Sequence, residues 1–141
     1  MIGEESRRGR SARLFKREQR SLRVLVVDDY PDNAESMAAV LRLNGHEAFA
    51  ASGGHSALVM ARMTQPDAVL LDLSMPFVNG YEVAKRLRAW FQDQIILIAI
   101  SGHGSEEEYS GCLEAGFDRC LAKPAGPRIV ANLLQELADG P

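Results

Sequence analysis

The sequence feature that most constrains the fold is an alternation, from Leu22 onward, of short apolar runs with longer segments of helical period. The runs LRVLVV, AVLL and IILIAI are almost continuously apolar. Strands that are buried on both faces have this composition, whereas half-exposed strands alternate apolar with polar residues. The alternation therefore predicts an α/β doubly wound fold, with helices on both faces of a five-stranded parallel sheet. The predicted strands span residues 22–27, 47–51, 68–71, 95–100 and 119–122.

Segments of helical period lie between and after these runs. The first helix is predicted over 32–44, with Asp32 as its N-cap, Glu35 completing a capping box and Gly45 just past its end. The other helices are predicted over 56–63, 80–91, 106–115 and 128–137, and Gly or Pro residues punctuate the segments.

Length and composition agree with one domain. A chain of 141 residues with 46% hydrophobic residues can build a single core. No apolar run approaches the roughly 20 residues that span a bilayer, and the N-terminus lacks the apolar region of a secretory signal. We therefore expect a cytoplasmic protein that does not associate with a membrane.

Charge is distributed unevenly along the chain. Residues 1–21 hold seven Lys and Arg against three Asp and Glu, whereas residues 22–141 hold nine against sixteen. A short charged segment of this kind is usually disordered, although it can also favour acidic partners or nucleic acid. The sequence thus predicts a disordered basic tail over 1–21 and a folded domain over 22–141, with nucleic acid an unfavoured partner.

Several other titratable residues are interpreted as structural. Cys112 and Cys120 are spaced too widely for a CxxC redox or zinc motif, and both are expected to be reduced thiols. His46 and His55 are expected to lie at the surface. The run Glu106–Glu108 is interpreted as the acidic first turn of a helix, where it interacts favourably with the helix dipole.

The residues that leave the predicted strands are unusually polar. Asp28 and Asp29 come after the first strand, Asp72 after the third, Ser101 after the fourth and Lys123 after the fifth. In open parallel sheets, ligands bind in the crevice outside the carboxyl ends of the strands. We therefore expect these carboxylates, the hydroxyl group and the ammonium group to converge on one edge of the sheet.

Such a cluster has the outline of a phosphoryl-transfer site. Carboxylates at close range repel one another, so a positive ion is expected among them, and Mg²⁺ suits oxygen ligands of this kind. Asp72 stands alone at its strand end and is the predicted nucleophile, whereas Asp28 and Asp29 are better placed to hold metal. Lys123 suits a phosphoryl oxygen or Asp72 itself, and Ser101 suits a phosphoryl oxygen.

Four motifs occur at these strand ends: VLVVDD at 24–29, LLDLSMPFVNGYE at 70–82, IAISGHG at 98–104 and LAKP at 121–124. Together they resemble the response-regulator receiver family of two-component signalling, which includes stand-alone receivers and those attached to hybrid histidine kinases. The resemblance covers residues 22–139.

The resemblance implies roles for the acidic cluster. Asp28 and Asp29 would bind Mg²⁺, Asp72 would be phosphorylated and would also contact the metal, and the backbone carbonyl of Ser74 would complete the metal shell. The family's sheet has the flavodoxin-like order 2-1-3-4-5. The Lys123–Pro124 peptide bond would be cis.

The resemblance also implies a phosphoacceptor switch rather than a turnover enzyme. A histidine kinase or a histidine phosphotransfer protein would donate the phosphoryl group, and Ser101 and Lys123 would contact its oxygens. The sequence offers no output domain, so the signal would pass to a downstream protein partner, or the chain would be a receiver taken from a larger hybrid kinase.

One position departs from the family pattern. The fifth strand of the family usually carries Tyr or Phe where this chain has Cys120. The coupling between Ser101 and the surface formed by the fourth helix and fifth strand is therefore expected to differ, whereas the phosphorylation chemistry is not.

Three rival functions are weighed against this one. A flavodoxin-type cofactor module would need a phosphate-cradling loop after the first strand, where Asp28, Asp29 and Asp32 would repel a flavin phosphate. An aspartyl phosphatase would carry a second Asp where Ser74 stands. The intact polar cluster argues against a receiver-shaped domain that only binds partners.

Overall fold

Strands and helices alternate throughout the computed structural model, which describes residues 21–75, 79–102 and 104–139. The strands are β1 (Arg23–Val27), β2 (Glu47–Ala51), β3 (Ala68–Asp72), β4 (Ile96–Ser101) and β5 (Arg119–Ala122). The helices are α1 (Pro31–Leu43), α2 (Gly54–Thr64), α3 (Gly80–Phe91), α4 (Glu106–Ala115) and α5 (Pro127–Asp139), and a 3₁₀ turn at Gln92–Gln94 follows α3.

The strands form one parallel sheet with the order β2-β1-β3-β4-β5. The predicted fold class and strand order are therefore confirmed. Because the chain moves outward from β1 in one direction and then returns to β3, the order reverses between β1 and β3. In open α/β sheets this reversal creates a crevice at the carboxyl ends of the two strands, where Asp28 and Asp72 lie.

Each face of the sheet has its own apolar core. Alternate residues of β3 point to opposite faces, so Leu71 packs with the cluster under α2, α3 and α4, and Leu70 packs with the cluster under α1 and α5. Every residue of β3 is buried. Full burial of a Leu or Ile side chain contributes about 1.5–3 kcal/mol, which explains why β1, β3 and β4 are so uniformly apolar.

The start of α1 differs from the predicted one. The helix begins at Pro31, with Tyr30 in the N-cap position and Asp32 already inside the first turn. Proline suits the first helical position because its φ is fixed at a helical value and its missing N–H would have no partner in the helix. Glu35 does not complete a capping box with Asp32 but pairs with Arg42 near the other end of the helix.

His46 is buried, contrary to the surface position predicted for it. Its side chain retains 6% of its accessible surface. The backbone N–H of Leu22 donates to His46 Nδ1 at 3.1 Å, which requires that nitrogen to be unprotonated. Burial lowers the pKa of the His46 imidazole. The residue therefore fastens the start of β1 to the start of β2 as a neutral acceptor.

The predicted basic tail over 1–21 lies outside the described residues except for Ser21. Among the helices that the structure describes, none is long and apolar enough to cross a membrane.

Candidate functional site at the carboxyl ends of the strands

Three carboxylates meet where the strand order reverses. One carboxylate oxygen each from Asp28, Asp29 and Asp72 lies within 4.8 Å of the others. Asp72 is the last residue of the fully buried β3 and is itself 3% exposed, whereas Asp28 and Asp29 are partly exposed. The carboxyl ends of the neighbouring strands β1 and β3 thus bring together the three carboxylates that the sequence predicted to converge.

Both oxygens of Asp72 have partners. The backbone N–H of Ser74 donates to Asp72 Oδ1 at 2.8 Å, and Lys123 Nζ donates to Asp72 Oδ2 at 3.1 Å. A buried carboxylate is costly unless hydrogen bonds and an opposite charge accompany it, and Asp72 has both. Lys123 reaches the site from the end of β5, where the Lys123–Pro124 bond is cis, as the resemblance implied.

The environment of the cluster makes the charged form of Asp28 less favourable. Burial raises the pKa of its carboxyl group above the ordinary value. The negative charge of Asp72 raises this pKa further, while a hydrogen bond from the Tyr30 N–H and the charge of Lys123 lower it. Burial and the neighbouring carboxylates thus outweigh the lowering effects of the Tyr30 N–H and Lys123 on this pKa. A hard divalent cation would remove this penalty, so the donor set fits Mg²⁺.

Ser74 lies in the turn after β3, next to the acidic cluster. Its N–H is bound to Asp72, and its Oγ lies 3.0 Å from the place that a Cβ atom on Gly102 would occupy. A side chain at position 102 would therefore press on Ser74. The predicted role of the Ser74 carbonyl as a metal ligand stays a prediction.

Ser101 ends β4 and is fully buried. Its backbone carbonyl accepts a 2.8 Å hydrogen bond from the N–H of Lys123, which ties the two predicted phosphoryl contacts together. Its hydroxyl donates to Glu108 Oε1 and accepts from the N–H of Gly104 at 2.9 Å. The sequence prediction placed Ser101 near the phosphoryl group but missed its contact with Glu108.

A sequence signal for Glu108 does exist. Ser105 is the N-cap of α4 and accepts a hydrogen bond from the backbone N–H of Glu108, which is one half of a Ser-x-x-Glu capping box. In a complete capping box the glutamate side chain returns to the N-cap N–H. Here it instead accepts from the N–H of Gly104 at 3.1 Å and from Ser101.

A cavity of about 650 Å³ opens beside the acidic cluster, between α1 and the segment that joins β5 to α5. Asp28, Asp72 and Lys123 line one end, and the remaining wall is largely apolar. Asp72 is nearly inaccessible itself but borders this cavity. The other lining residues include Met37, Val40, Ile100, Pro124 and Ala125.

Comparison with known proteins points to one family. Residues 24–135 match the response regulator receiver domain family. The chain is 36% identical over 124 residues to the virulence sensor protein BvgS of Bordetella pertussis, which covers 84% of this chain and 10% of that protein. It is 41% identical over 104 residues to the transcriptional regulatory protein PrrA of Mycobacterium tuberculosis, which covers 74% of this chain and 44% of that protein. The chain thus spans less than half the length of these relatives.

Solved structures show the same relationship. The CheY-like response regulator receiver domain protein from Methanospirillum hungatei JF-1 superposes with a TM-score of 0.78 at 25% identity, covering 84% of this chain and 94% of that one. The chemotaxis response regulator CheY4 of Vibrio cholerae superposes with a TM-score of 0.73 at 27% identity, covering 82% and 98%.

Proposed function

Because the chain belongs to the response regulator receiver domain family of two-component signalling, we propose that Asp72 is its phosphoacceptor. The observation that carries the proposal is the position of this carboxylate. Asp72 is held at the end of the central strand, with Lys123 3.1 Å from one oxygen and two further carboxylates beside it. A buried aspartate with a lysine and an approach cavity is suited to nucleophilic attack on phosphorus.

The transfer moves one phosphoryl group. A carboxylate oxygen of Asp72 forms the new P–O bond, while the P–N bond of a phosphohistidine on the donor breaks and the imidazole leaves with the electron pair. The chain contributes mainly position and charge, which dominate the energetics of phosphoryl transfer. Lys123 neutralises charge on a phosphoryl oxygen, and the hydroxyl of Ser101 turns to donate to another.

Mg²⁺ is the proposed cofactor. Asp28, Asp29 and Asp72, with the backbone carbonyl of Ser74, would hold it. When bound, it supplies positive charge to the phosphoryl oxygens and offsets both the burial and the neighbouring charge of Asp72, which raise the pKa of Asp28. Few protein ligands are offered to an ion that dehydrates reluctantly, so the expected affinity is millimolar to sub-millimolar.

The proposed partners follow from the same chemistry. A histidine kinase or a histidine phosphotransfer protein would present the phosphohistidine at the cavity beside α1. Phosphorylation would then bias a conformational switch that a downstream protein partner recognises. The chain acts once per phosphoryl group received, as a switch rather than as a turnover enzyme.

Incubation with acetyl phosphate and Mg²⁺, followed by intact-mass measurement, tests the proposal. The wild type should gain one phosphoryl group, and Asp72→Asn should gain none while keeping the same cooperative unfolding transition. No labelling of a folded wild type, or stable labelling of Asp72→Asn, would leave a partner-binding domain as the better account.

A further inference from the structure

The contact between Ser101 and Glu108 joins the proposed phosphoryl site to the first turn of α4. The Ser101 hydroxyl donates to Glu108 Oε1, and the N–H of Gly104 is shared between the two side chains, at 2.9 Å from Ser101 Oγ and 3.1 Å from Glu108 Oε1. Both ends of the contact are therefore held by the same backbone group. Ser101 is fully buried and Glu108 is half-buried, so the contact is shielded from water.

A serine hydroxyl has one hydrogen to donate. In this structure that hydrogen is given to a carboxylate, and hydrogen bonds to charged acceptors are about twice as strong as neutral ones. A phosphoryl group on Asp72 would bring competing acceptor oxygens and a charge of about −2. Ser101 cannot donate to both acceptors, and the negative charges of the phosphoryl group and Glu108 repel each other.

The attachment of α4 makes this competition mechanically important. The buried residues of α4, Cys112 and Ala115, lie in its C-terminal half, and the N-terminal half is exposed apart from Glu108. The first turn is thus held toward the sheet through Glu108.

We propose that Glu108 is a positioning residue that competes with the phosphoryl group for the hydroxyl of Ser101 and thereby couples phosphorylation of Asp72 to the position of α4. The proposal rests on the proposed function of Asp72. In the unphosphorylated state Glu108 holds the hydroxyl and the helix turn. When the phosphoryl group takes the hydroxyl, Glu108 loses a hydrogen bond and is repelled, and the first turn of α4 is released.

The test is Glu108→Gln, which keeps the size of the side chain and the Ser105 cap but removes the charge. With acetyl phosphate and Mg²⁺, the ratio of labelled to unlabelled protein at steady state should rise about fivefold, because a neutral acceptor holds Ser101 less strongly. Glu107→Gln is the matched control, since it removes the same charge from an exposed position in the same helix turn. Its labelling ratio should equal that of the wild type.

A double-mutant cycle separates positioning from a general effect on the fold. In a Ser101→Ala background there is no hydroxyl to compete for and only the charge repulsion is left, so Glu108→Gln should raise the labelling ratio by much less than fivefold. The same fivefold rise with and without Ser101 would overturn the proposal. Glu108→Asp provides a second variant: it keeps the charge but withdraws the carboxylate by one methylene, and it should also raise the labelling ratio.

Failure of this inference is distinguishable from failure of the proposed function. A folded wild type that takes no phosphoryl group refutes both. A wild type that is labelled, with Glu108→Gln and Glu107→Gln giving equal ratios, refutes only the role of Glu108 and leaves Asp72 as the phosphoacceptor.

Discussion

Lys123 Nζ lies 3.1 Å from Asp72 Oδ2, although the side chain of Lys123 is 42% exposed and that of Asp72 only 4%. The two partners of this ion pair therefore differ in freedom. The carboxylate is fixed at the end of the central strand, whereas the lysine reaches it from the solvent on a flexible stem.

This asymmetry predicts that Lys123→Ala keeps the acceptor but weakens the response. Labelling by acetyl phosphate should persist at a rate reduced roughly tenfold, since one charged donor to the transferred group is lost. The conformational response, measured as shifts of α4 amide resonances after labelling, should be smaller than in the wild type. Arg119→Ala, which removes an exposed cation from β5, the strand that precedes Lys123, should change neither. An unaltered response in Lys123→Ala would contradict the prediction.

The acidic cluster predicts a selective loss of metal binding. Asp29→Ala should weaken Mg²⁺ binding by about tenfold or more in a calorimetric or amide-resonance titration, because few protein ligands are available to the ion. Asp32→Ala removes the same charge from an exposed position in α1 and should bind Mg²⁺ as the wild type does. Equal affinities for the two variants would show that the metal site is elsewhere.

His46 predicts a loss of stability in mild acid. Its pKa is lowered in the folded protein, so below the unfolded value of about 6.5 the unfolded chain binds more protons than the folded one. The contribution of neutral His46 is therefore complete above this pH and is lost as the pH falls. His46→Gln should flatten the dependence of the unfolding free energy on pH between about 7 and 5. In the exposed control His55→Gln, the dependence should stay as steep as in the wild type.

The contacts of Arg88 predict that its substitution lowers the stability of the fold, although the residue lies far from the proposed phosphoryl site. Its guanidinium donates to Asp118 Oδ2 at 3.0 Å and to the carbonyl oxygens of Gly116 and Ile95, which joins α3 to the segments that lead into β4 and β5. Arg88→Met should lower the unfolding free energy by about 2–4 kcal/mol, because it removes a guanidinium group that pairs with a largely buried aspartate. Denaturant unfolding measures the loss. Arg86→Met, which replaces an exposed neighbour in the same helix, should lower the unfolding free energy by less than about 0.5 kcal/mol.

We expect the thiols of the two cysteines to differ in their reactivity toward alkylating reagents. Both thiols are free, with their sulfur atoms 2.9 Å apart. Burial, followed by the neighbouring Cys120, raises the pKa of the Cys112 thiol to about 12, so Cys112 carries almost no thiolate at neutral pH. In the native protein at pH of about 8, iodoacetamide should modify Cys120 well before Cys112, and peptide mass analysis identifies the site. Modification of Cys112 as early as Cys120 in the native protein would contradict this order.

The sequence predicts the parts of the fold and site that depend on local pattern. Continuous apolar runs identify the buried strands, and the residues directly after them, such as Asp72, are then placed by the geometry of any parallel sheet. The predicted N-cap of α1, Asp32, lies two residues after the actual one, Tyr30, because Pro31 and Asp32 both carry signals for a helix start and the proline position prevailed.

Contacts across long sequence separations escape such patterns. Nothing around His46 indicates that it accepts from the N–H of Leu22, 24 residues away, because that contact exists only once β1 and β2 are paired. The Ser-x-x-Glu pattern at Ser105 was available, but it predicts a carboxylate directed at the helix cap. That Glu108 reaches Ser101 instead depends on where β4 ends.

The burial of the strands also determines which part of the sheet opens most easily. β3 is buried at every position, whereas β5 is an outer strand whose residues are all partly or fully exposed. Amide hydrogens in β3 should therefore exchange with solvent only through global unfolding, and those of β5 through smaller openings. Asp72 thus lies on a strand that is buried throughout, whereas Lys123 follows an outer strand that is not. Phosphorylation at the proposed acceptor should therefore displace the β5 edge more readily than β3.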